Sequence, residues 1–332
     1  MVETILMIPL ILGFLITLFL TPLWIKRAEK ANITGKDLHK VKKNLVSEGG
    51  GITLLLGFVL GVLIYIAIKT FILKSDVITV EIFALLTTVL IAGFVGFIDD
   101  ILEWRLGLGK RTRLILLLFA SIPLMVINAG QSEMMGINLG LLYPLFFIPL
   151  GVIGVSATFN FIAGYNGLET SQGIILLSSL ALVTWLTGNS WLSLISLIMV
   201  SCLIGFYVFN KHPANVFPGD VLTYSVGALV AIMAILGNIE KIALFFFIPY
   251  IIETGLKVRG GLRKESLAMV NNDGSLDMPY KKFYGLEHVA IYLLKKSKKS
   301  KKVYEQEVVY MINFFQILVI ILGLILFKGA IF

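Results

Sequence analysis

The sequence is poor in charge, cysteine and histidine. Of its 332 residues only 14% are Asp, Glu, Lys or Arg, against about 25% in soluble domains. That shortage excludes a soluble enzyme, a disordered protein and a coiled coil, each of which needs far more polar surface. The single cysteine, Cys202, cannot form an internal disulfide, which excludes a secreted disulfide scaffold. It sits in an apolar run and is expected to be a small core residue. The three histidines, His39, His212 and His288, lack paired metal spacing, and HExxH is absent, which argues against zinc. Neither a GxxxxGK(S/T) phosphate loop nor a dinucleotide fingerprint occurs. No internal repeat is visible, so the inverted-repeat architecture of many transporters has no support.

Apolar residues, by contrast, make up 58% of the chain, and the mean hydropathy is +0.93. Ten membrane spans of about 20 residues would use about 200 positions, or about 60% of the length. Ten apolar segments are read, at roughly 4–25, 50–73, 81–98, 112–128, 141–159, 172–187, 191–209, 221–237, 241–257 and 308–327. The expected fold is an all-α polytopic membrane protein, one integral-membrane domain over 1–332. The stretch 258–307 is long enough for a loop subdomain, and Asn271-Asn-Asp-Gly274 within it suits a hairpin turn. The first segment is no cleaved signal peptide: it has Glu3 in place of a basic start and ends in Lys26-Arg27.

The distribution of basic residues gives an orientation. Of 28 Lys and Arg, 24 lie in the odd-numbered connections; only Lys69, Lys74, Lys241 and Lys328 lie on the other side. The positive-inside rule then puts the odd connections in the cytoplasm and both termini outside. The sequence pI of about 9.4 is accounted for by topology, and no nucleic-acid partner is implied. The lysine run 295–302 fits a solvated stop signal and could also rest on anionic lipid.

Chemistry-bearing residues gather at the cytoplasmic ends of spans, in four clusters. The first, Gly93-Phe-Val-Gly-Phe-Ile-Asp99-Asp100, closes the third span. Two adjacent carboxylates at a hydrocarbon boundary are costly to ionise together, so one could bind or orient while the other takes a proton. Arg105, Lys110, Arg111 and Arg113 follow and could hold phosphates, or serve topology alone. The second, Phe159-Asn160-Phe-Ile-Ala-Gly164-Tyr-Asn166-Gly-Leu-Glu169, has no basic residue. Asn160 can offer a metal its amide oxygen, and Asn166 can pair with a base edge. A helix cap at Gly164 or a turn at Asn166-Gly167 would equally explain these residues. The third, Asn210-Lys-His-Pro-Ala-Asn-Val-Phe217-Pro-Gly-Asp220, carries a carboxylate where the chain re-enters the membrane. Asp220 is either functional or the N-cap of the eighth helix. Phe217 either stacks on a base or anchors the loop. The fourth has Arg259, Arg263, Lys264 and Glu265, guanidinium groups of the kind that suits pyrophosphate. Oxygen ligands beside cations suit Mg²⁺ or Mn²⁺ and a phosphorylated substrate.

In this order the clusters resemble the polyprenyl-phosphate N-acetylhexosamine-1-phosphate transferase superfamily, from about Glu48 to Tyr284. The run Ala163-Gly-Tyr-Asn-Gly-Leu-Glu169 is similar to the archaeal and eukaryotic branch, the UDP-GlcNAc–dolichyl-phosphate GlcNAc-1-phosphate transferases. Bacterial relatives have an Asp-Gly-Leu-Asp-Gly type loop there. Asn210-Lys-His-Pro, Val216-Phe-Pro-Gly-Asp220 and Asp273-Gly-Ser-Leu-Asp-Met-Pro-Tyr280 also fit that branch.

The resemblance implies transfer of GlcNAc-1-phosphate from UDP-GlcNAc to a polyprenyl (dolichyl) phosphate with release of UMP, the first step of lipid-linked glycan assembly for N-glycosylation. It implies Asn160 and Asp220 as Mg²⁺ (or Mn²⁺) ligands, and Asp99, Asp100 and Lys110 as catalytic residues. It implies Phe217, Asn166 and Gly164 around the uracil, Glu48 near the nucleoside and Arg263 on the pyrophosphate. The setting implied is the plasma membrane of a prokaryote, archaeal by branch, with the active site facing the cytoplasm; family analogy allows a homodimer. Two departures, Glu103 and Arg263-Lys264-Glu265, fall where the family contacts the sugar, so the N-acetylhexosamine is left open. A transporter of nucleotide-sugars or lipid-linked sugars is the alternative; it would favour polar residues near the midplane, where only Glu253 is a partial candidate.

Overall fold

The computed structural model describes residues 5–75, 79–134 and 137–331, with the backbone alone for 103–106 and 134. Glu3 therefore lies outside the described residues. All ten apolar segments are helical. They form α1 (Met7–Lys30), α2 (Gly51–Ala67, running on through a π-turn at Ile68–Ile72), α3 (Thr79–Leu106) and α4 (Lys110–Val126). Next come α5 (Ile148–Phe159, preceded by a π-turn at Tyr143–Phe147), α6 (Leu168–Leu186), α7 (Ser190–Asn210) and α8 (Gly219–Gly237). The ninth segment is two helices, α9 (Glu240–Phe246) and α10 (Ile248–Arg259), interrupted at Phe247 just before Pro249, whose ring nitrogen has no proton to donate. A short α11 (Leu286–Ser297) precedes the last long helix, α12 (Glu305–Leu326).

Seven of these helices are long and apolar enough to cross a membrane: α1, α2, α3, α6, α7, α8 and α12. The remaining three segments fall short for local reasons. α4 spends its first turn on Lys110-Arg-Thr-Arg113, α5 with its π-turn is short, and the ninth is broken. Large apolar side chains cover the outside of the bundle, among them Phe19, Phe94, Phe119 and Leu322. A surface of that kind is stable against lipid, and the chain is an integral membrane protein.

Among the described residues three two-stranded antiparallel pairs lie in the connections, so the fold is not purely helical. They pair β1 (Thr34–Lys36) with β2 (Leu45–Ser47), β3 (Glu133–Met134) with β4 (Ile137–Asn138), and β5 (Met269–Val270) with β6 (Leu276–Asp277). The last closes over Asn271–Gly274, with Gly274 at φ 80°. A second difference is the end of α3. It runs to Leu106, not 98, because no Gly or Pro follows until Gly107. Asp99 and Asp100 thus sit within a helix.

α8 is the central helix, 78% buried over its most apolar stretch, whereas α1 is peripheral at 22%. Small residues let helices approach it closely. A Cβ on Gly93 of α3 would lie 2.5 Å from Ser225 Oγ, and one on Gly96 2.3 Å from the carbonyl oxygen of Asp220. On the opposite side Gly227 packs against Ser156 of α5. Gly96 is one turn before Asp100, so this contact brings the α3 carboxylates to the start of α8.

Candidate active site

The first turn of a helix leaves backbone N–H groups without partners. At the start of α8, Asp100 supplies them from another helix. Its Oδ1 accepts from the Asp220 nitrogen at 2.6 Å and its Oδ2 from the Val221 nitrogen at 3.2 Å. Gly219, at φ 69°, makes room: a Cβ there would meet Asp100 Oδ2 at 2.1 Å. Asp220 is therefore not the N-cap. It lies inside the first turn, and its side chain is free to face across the bundle.

Across from it stands Asn160, whose Nδ2 is 2.8 Å from Asp220 Oδ1. Asp99 and Arg113 complete the group. Asp99 is wholly buried; its Oδ1 accepts from the Leu108 nitrogen at 3.0 Å. Arg113 Nε is 2.7 Å from Asp99 Oδ2, and its Nη1 is 3.4 Å from Asp220 Oδ2. The Nε proton, however, is aimed at the Leu108 carbonyl, which leaves Asp99 Oδ2 without an aligned hydrogen bond. Two carboxylates, Asp99 and Asp220, face one guanidinium.

This donor set fits a hard divalent cation. Asp99 Oδ2 is a buried oxygen lacking a donor, Asp220 is a carboxylate, and a carboxamide turned about its last bond exchanges its nitrogen for an oxygen. A second acidic group, Asp37, His39 and Glu305, has ligand atoms within 4.8 Å of one another. Its interior is taken by Lys40, whose Nζ is 2.5 Å from Glu305 and 3.7 Å from Asp37. Burial lowers the pKa of His39, with Glu305 and Asp37 opposing, and its Nε2 accepts from the Ala268 nitrogen at 3.3 Å.

Five of the sequence-predicted residues line one cleft of about 230 Å³: Asn160, Gly164, Asn166, Phe217 and Asp220. Phe217 is half-buried and is carried on a short parallel bridge between Ser47 and Val216. Its nitrogen donates to Ser47 O at 2.7 Å and its carbonyl accepts from Gly50 at 3.0 Å. Gly164, at φ 95°, donates its N–H to Glu169 Oε1 at 2.8 Å. Lys110 and Arg263 lie along an adjoining cleft of about 560 Å³ that also reaches Asn160. Lys110 Nζ donates to Leu262 O at 2.9 Å, tying α4 to the last loop. Glu48 lines neither cleft; its carbonyl accepts from Trp24 Nε1 at 2.8 Å, beside the strand that holds Phe217. Lys264 stands over the Tyr280 ring, and the side chain of Glu103 lies outside the described residues.

The sequence reading left Arg113 among several basic residues and passed over Asp37 and Glu169, which line the first cleft. Asp37 sits between lysines in a basic connection that also holds Glu29 and Glu48, and the positive charge around it reads as topology. Arg113 had a spacing signal: it falls one helical turn into α4, just after the Gly107–Gly109 turn that folds α4 back on α3.

Residues 82–238 match the sequence profile of glycosyl transferase family 4. A protein of Saccharolobus solfataricus is 34% identical over 279 residues, which is 81% of this chain and 83% of that one. One of Sulfolobus acidocaldarius is 32% identical over 277 residues, with 81% and 83% covered. Both carry the provisional name UDP-N-acetylglucosamine–dolichyl-phosphate N-acetylglucosaminephosphotransferase. The phospho-N-acetylmuramoyl-pentapeptide-transferase of Streptococcus pyogenes is 30% identical over 264 residues, 75% of this chain and 77% of its own.

Proposed function

The chain belongs to glycosyl transferase family 4, and from that footing we infer that it is a membrane sugar-phosphate transferase that moves GlcNAc-1-phosphate from UDP-GlcNAc to a polyprenyl phosphate of the dolichyl type. UMP is released, and GlcNAc-diphospho-polyprenol stays in the membrane as the first lipid-linked intermediate for N-glycosylation. The observation that carries this reading is that Arg113 pairs with both Asp99 and Asp220, while Asp220 and its partner Asn160 line the cleft that also holds Phe217 and Asn166.

An acceptor phosphate oxygen attacks the β-phosphorus, and the bond to the UMP oxygen breaks. Asp220 and Asn160 would hold Mg²⁺ or Mn²⁺, which when bound offsets charge on the pyrophosphate. Arg113, Lys110 and Arg263 add positive charge along the same path. Asp99, with one oxygen lacking a donor, is suited to orient the acceptor phosphate or take its proton. Asp100 has both oxygens committed to α8 and acts by holding Asp220 in place. Phe217 stacks on the uracil.

The lipid tail has a place. An apolar groove of about 510 Å³ runs between α5, α8 and the broken ninth segment, from Tyr143 to Thr254. Ten crossings, both termini outside and the clefts on the cytoplasmic face complete the arrangement, supported by the charge distribution of the connections. The polar groups gather at one end of the bundle, which favours interfacial chemistry over transport. The test is UMP release by the purified protein with UDP-GlcNAc, a polyprenyl phosphate and Mg²⁺, each omitted in turn. Release that needs all three supports the transferase; release without the lipid phosphate overturns it.

A further inference from the structure

Asn166 is held on two sides by buried carboxylates. Its backbone N–H donates to Glu305 Oε1 at 2.7 Å, and its Nδ2 donates to Asp37 Oδ2 at 3.0 Å. Asp37 is 4% exposed, Asn166 5% and Glu305 3%, so water competes little for these bonds. The carboxylates are themselves fixed. Asp37 Oδ1 accepts from the His39 nitrogen at 3.2 Å, and Glu305 Oε2 is 2.5 Å from Lys40 Nζ and 3.1 Å from His212 Nδ1. Asn166 thus joins two segments distant from it in sequence, and Lys40 and His212 back the Glu305 side.

The chemistry of the partner decides how the Asn166 amide points. An ionised carboxylate only accepts, so the group facing Asp37 must be the NH₂. The two ends of a carboxamide are otherwise interchangeable in shape. The carbonyl Oδ1 is left on the other branch, and no donor among the described residues is bonded to it. Asn166 and Asp37 both line the cleft that holds Phe217.

We propose that Asp37 is a positioning residue that turns the Asn166 amide so that its carbonyl meets the base, making the cleft selective for a pyrimidine with an N–H at ring position 3, uracil, over one with a bare nitrogen there, cytosine. The proposal rests on the reading of the donor as a uridine nucleotide. Uracil N3–H donates to the carbonyl. Cytosine N3 is an acceptor, so it sets two lone pairs against each other and leaves both without a donor, the kind of mismatch that a built polar site rejects strongly. Were the amide free to turn, it could offer NH₂ to cytosine and the selection would be lost.

The experiment is calorimetric binding of UMP and of CMP, with Mg²⁺, to the intact purified protein. The wild type is expected to prefer UMP by roughly tenfold or more, the ratio that one good hydrogen bond supplies. Asp37→Asn gives the amide a partner that can donate or accept. Its expected result is a UMP-to-CMP preference reduced by roughly tenfold, with UMP weakened and CMP held or improved. A purely structural defect would weaken both nucleotides alike, and that outcome overturns the proposal, as does an unchanged ratio. Asn166→Ala is expected to flatten the ratio to the same level, and it carries the test if Asp37→Asn does not fold; an unchanged ratio there overturns the proposal. Wild type that binds UMP and CMP equally overturns the base selection while UMP release still tests the transferase. Wild type that binds neither, and releases no UMP, overturns the uridine-nucleotide reading itself.

Discussion

Asp100 Oδ1 lies 2.6 Å from the backbone nitrogen of Asp220, so one acid of the α3 pair stations the carboxylate that faces Arg113 and Asn160. The adjacent acids Asp99 and Asp100 therefore have separable duties, and substitutions should part them.

Asp99→Asn should cut turnover by on the order of 10²–10⁴-fold, the range for loss of a general acid or base. Thermal stability in detergent should fall as well, since the Leu108 contact survives only with the new NH₂ turned toward Arg113. UMP release set beside a melting curve checks both, and near-wild-type turnover would remove Asp99 from the chemistry.

Asp100→Ala should act on the start of α8. Loss of a helix cap costs about 0.5–2 kcal/mol, so the melting temperature should fall and turnover with it. Asp100→Asn keeps one acceptor and should recover part of the stability. Equal stability of the alanine variant and wild type would contradict the capping role.

Removal of divalent cations with a chelator should abolish UMP release, and added Mg²⁺ should restore it. Asp220→Ala should require a higher Mg²⁺ concentration for half-maximal rate or lose activity altogether. A variant with wild-type rate and Mg²⁺ dependence would sink the ligand assignment.

Gly96→Ala should be among the most damaging changes to a residue outside the clefts. Its Cβ would be 2.3 Å from the Asp220 carbonyl, and backbone cannot step aside cheaply. Overpacking of this kind costs about 1–3 kcal/mol. Lower stability together with lost turnover is expected; an active, stable variant would show that α3 and α8 can part without harm.

Phe217→Ala should raise the apparent KM for UDP-GlcNAc by about tenfold to a hundredfold with kcat less affected, since base stacking on an aromatic ring contributes about 1–3 kcal/mol. A kcat loss with unchanged KM would point away from stacking.

Much of this was legible in the sequence because it is written in local pattern. Long apolar runs became helices, and Asn271-Asn-Asp-Gly274 became a turn between paired strands. The gathering of Asn160, Gly164, Asn166, Phe217 and Asp220 in one cleft followed from motifs at the same ends of successive spans. What stayed hidden were bonds between distant segments. The Asp100 cap on α8 joins residues 120 apart, and the Asp37 bond to Asn166 joins residues 129 apart. No periodicity encodes such pairs. Arg113 could be read as topology or as a phosphate contact until its position between Asp99 and Asp220 was known.

The run from Phe217 to Asp220 is clamped at both ends. Backbone bonds to Ser47 and Gly50 fix the ring, and Asp100 fixes the carboxylate. Three residues of chain span at most about 10 Å. On the proposed reading, the ring and the carboxylate meet the two ends of one nucleotide diphosphate. The stretch is then a gauge. It measures the donor from base to diphosphate with a piece of backbone that can neither lengthen nor slacken, and a donor of another length would fail at one end whenever it fitted the other.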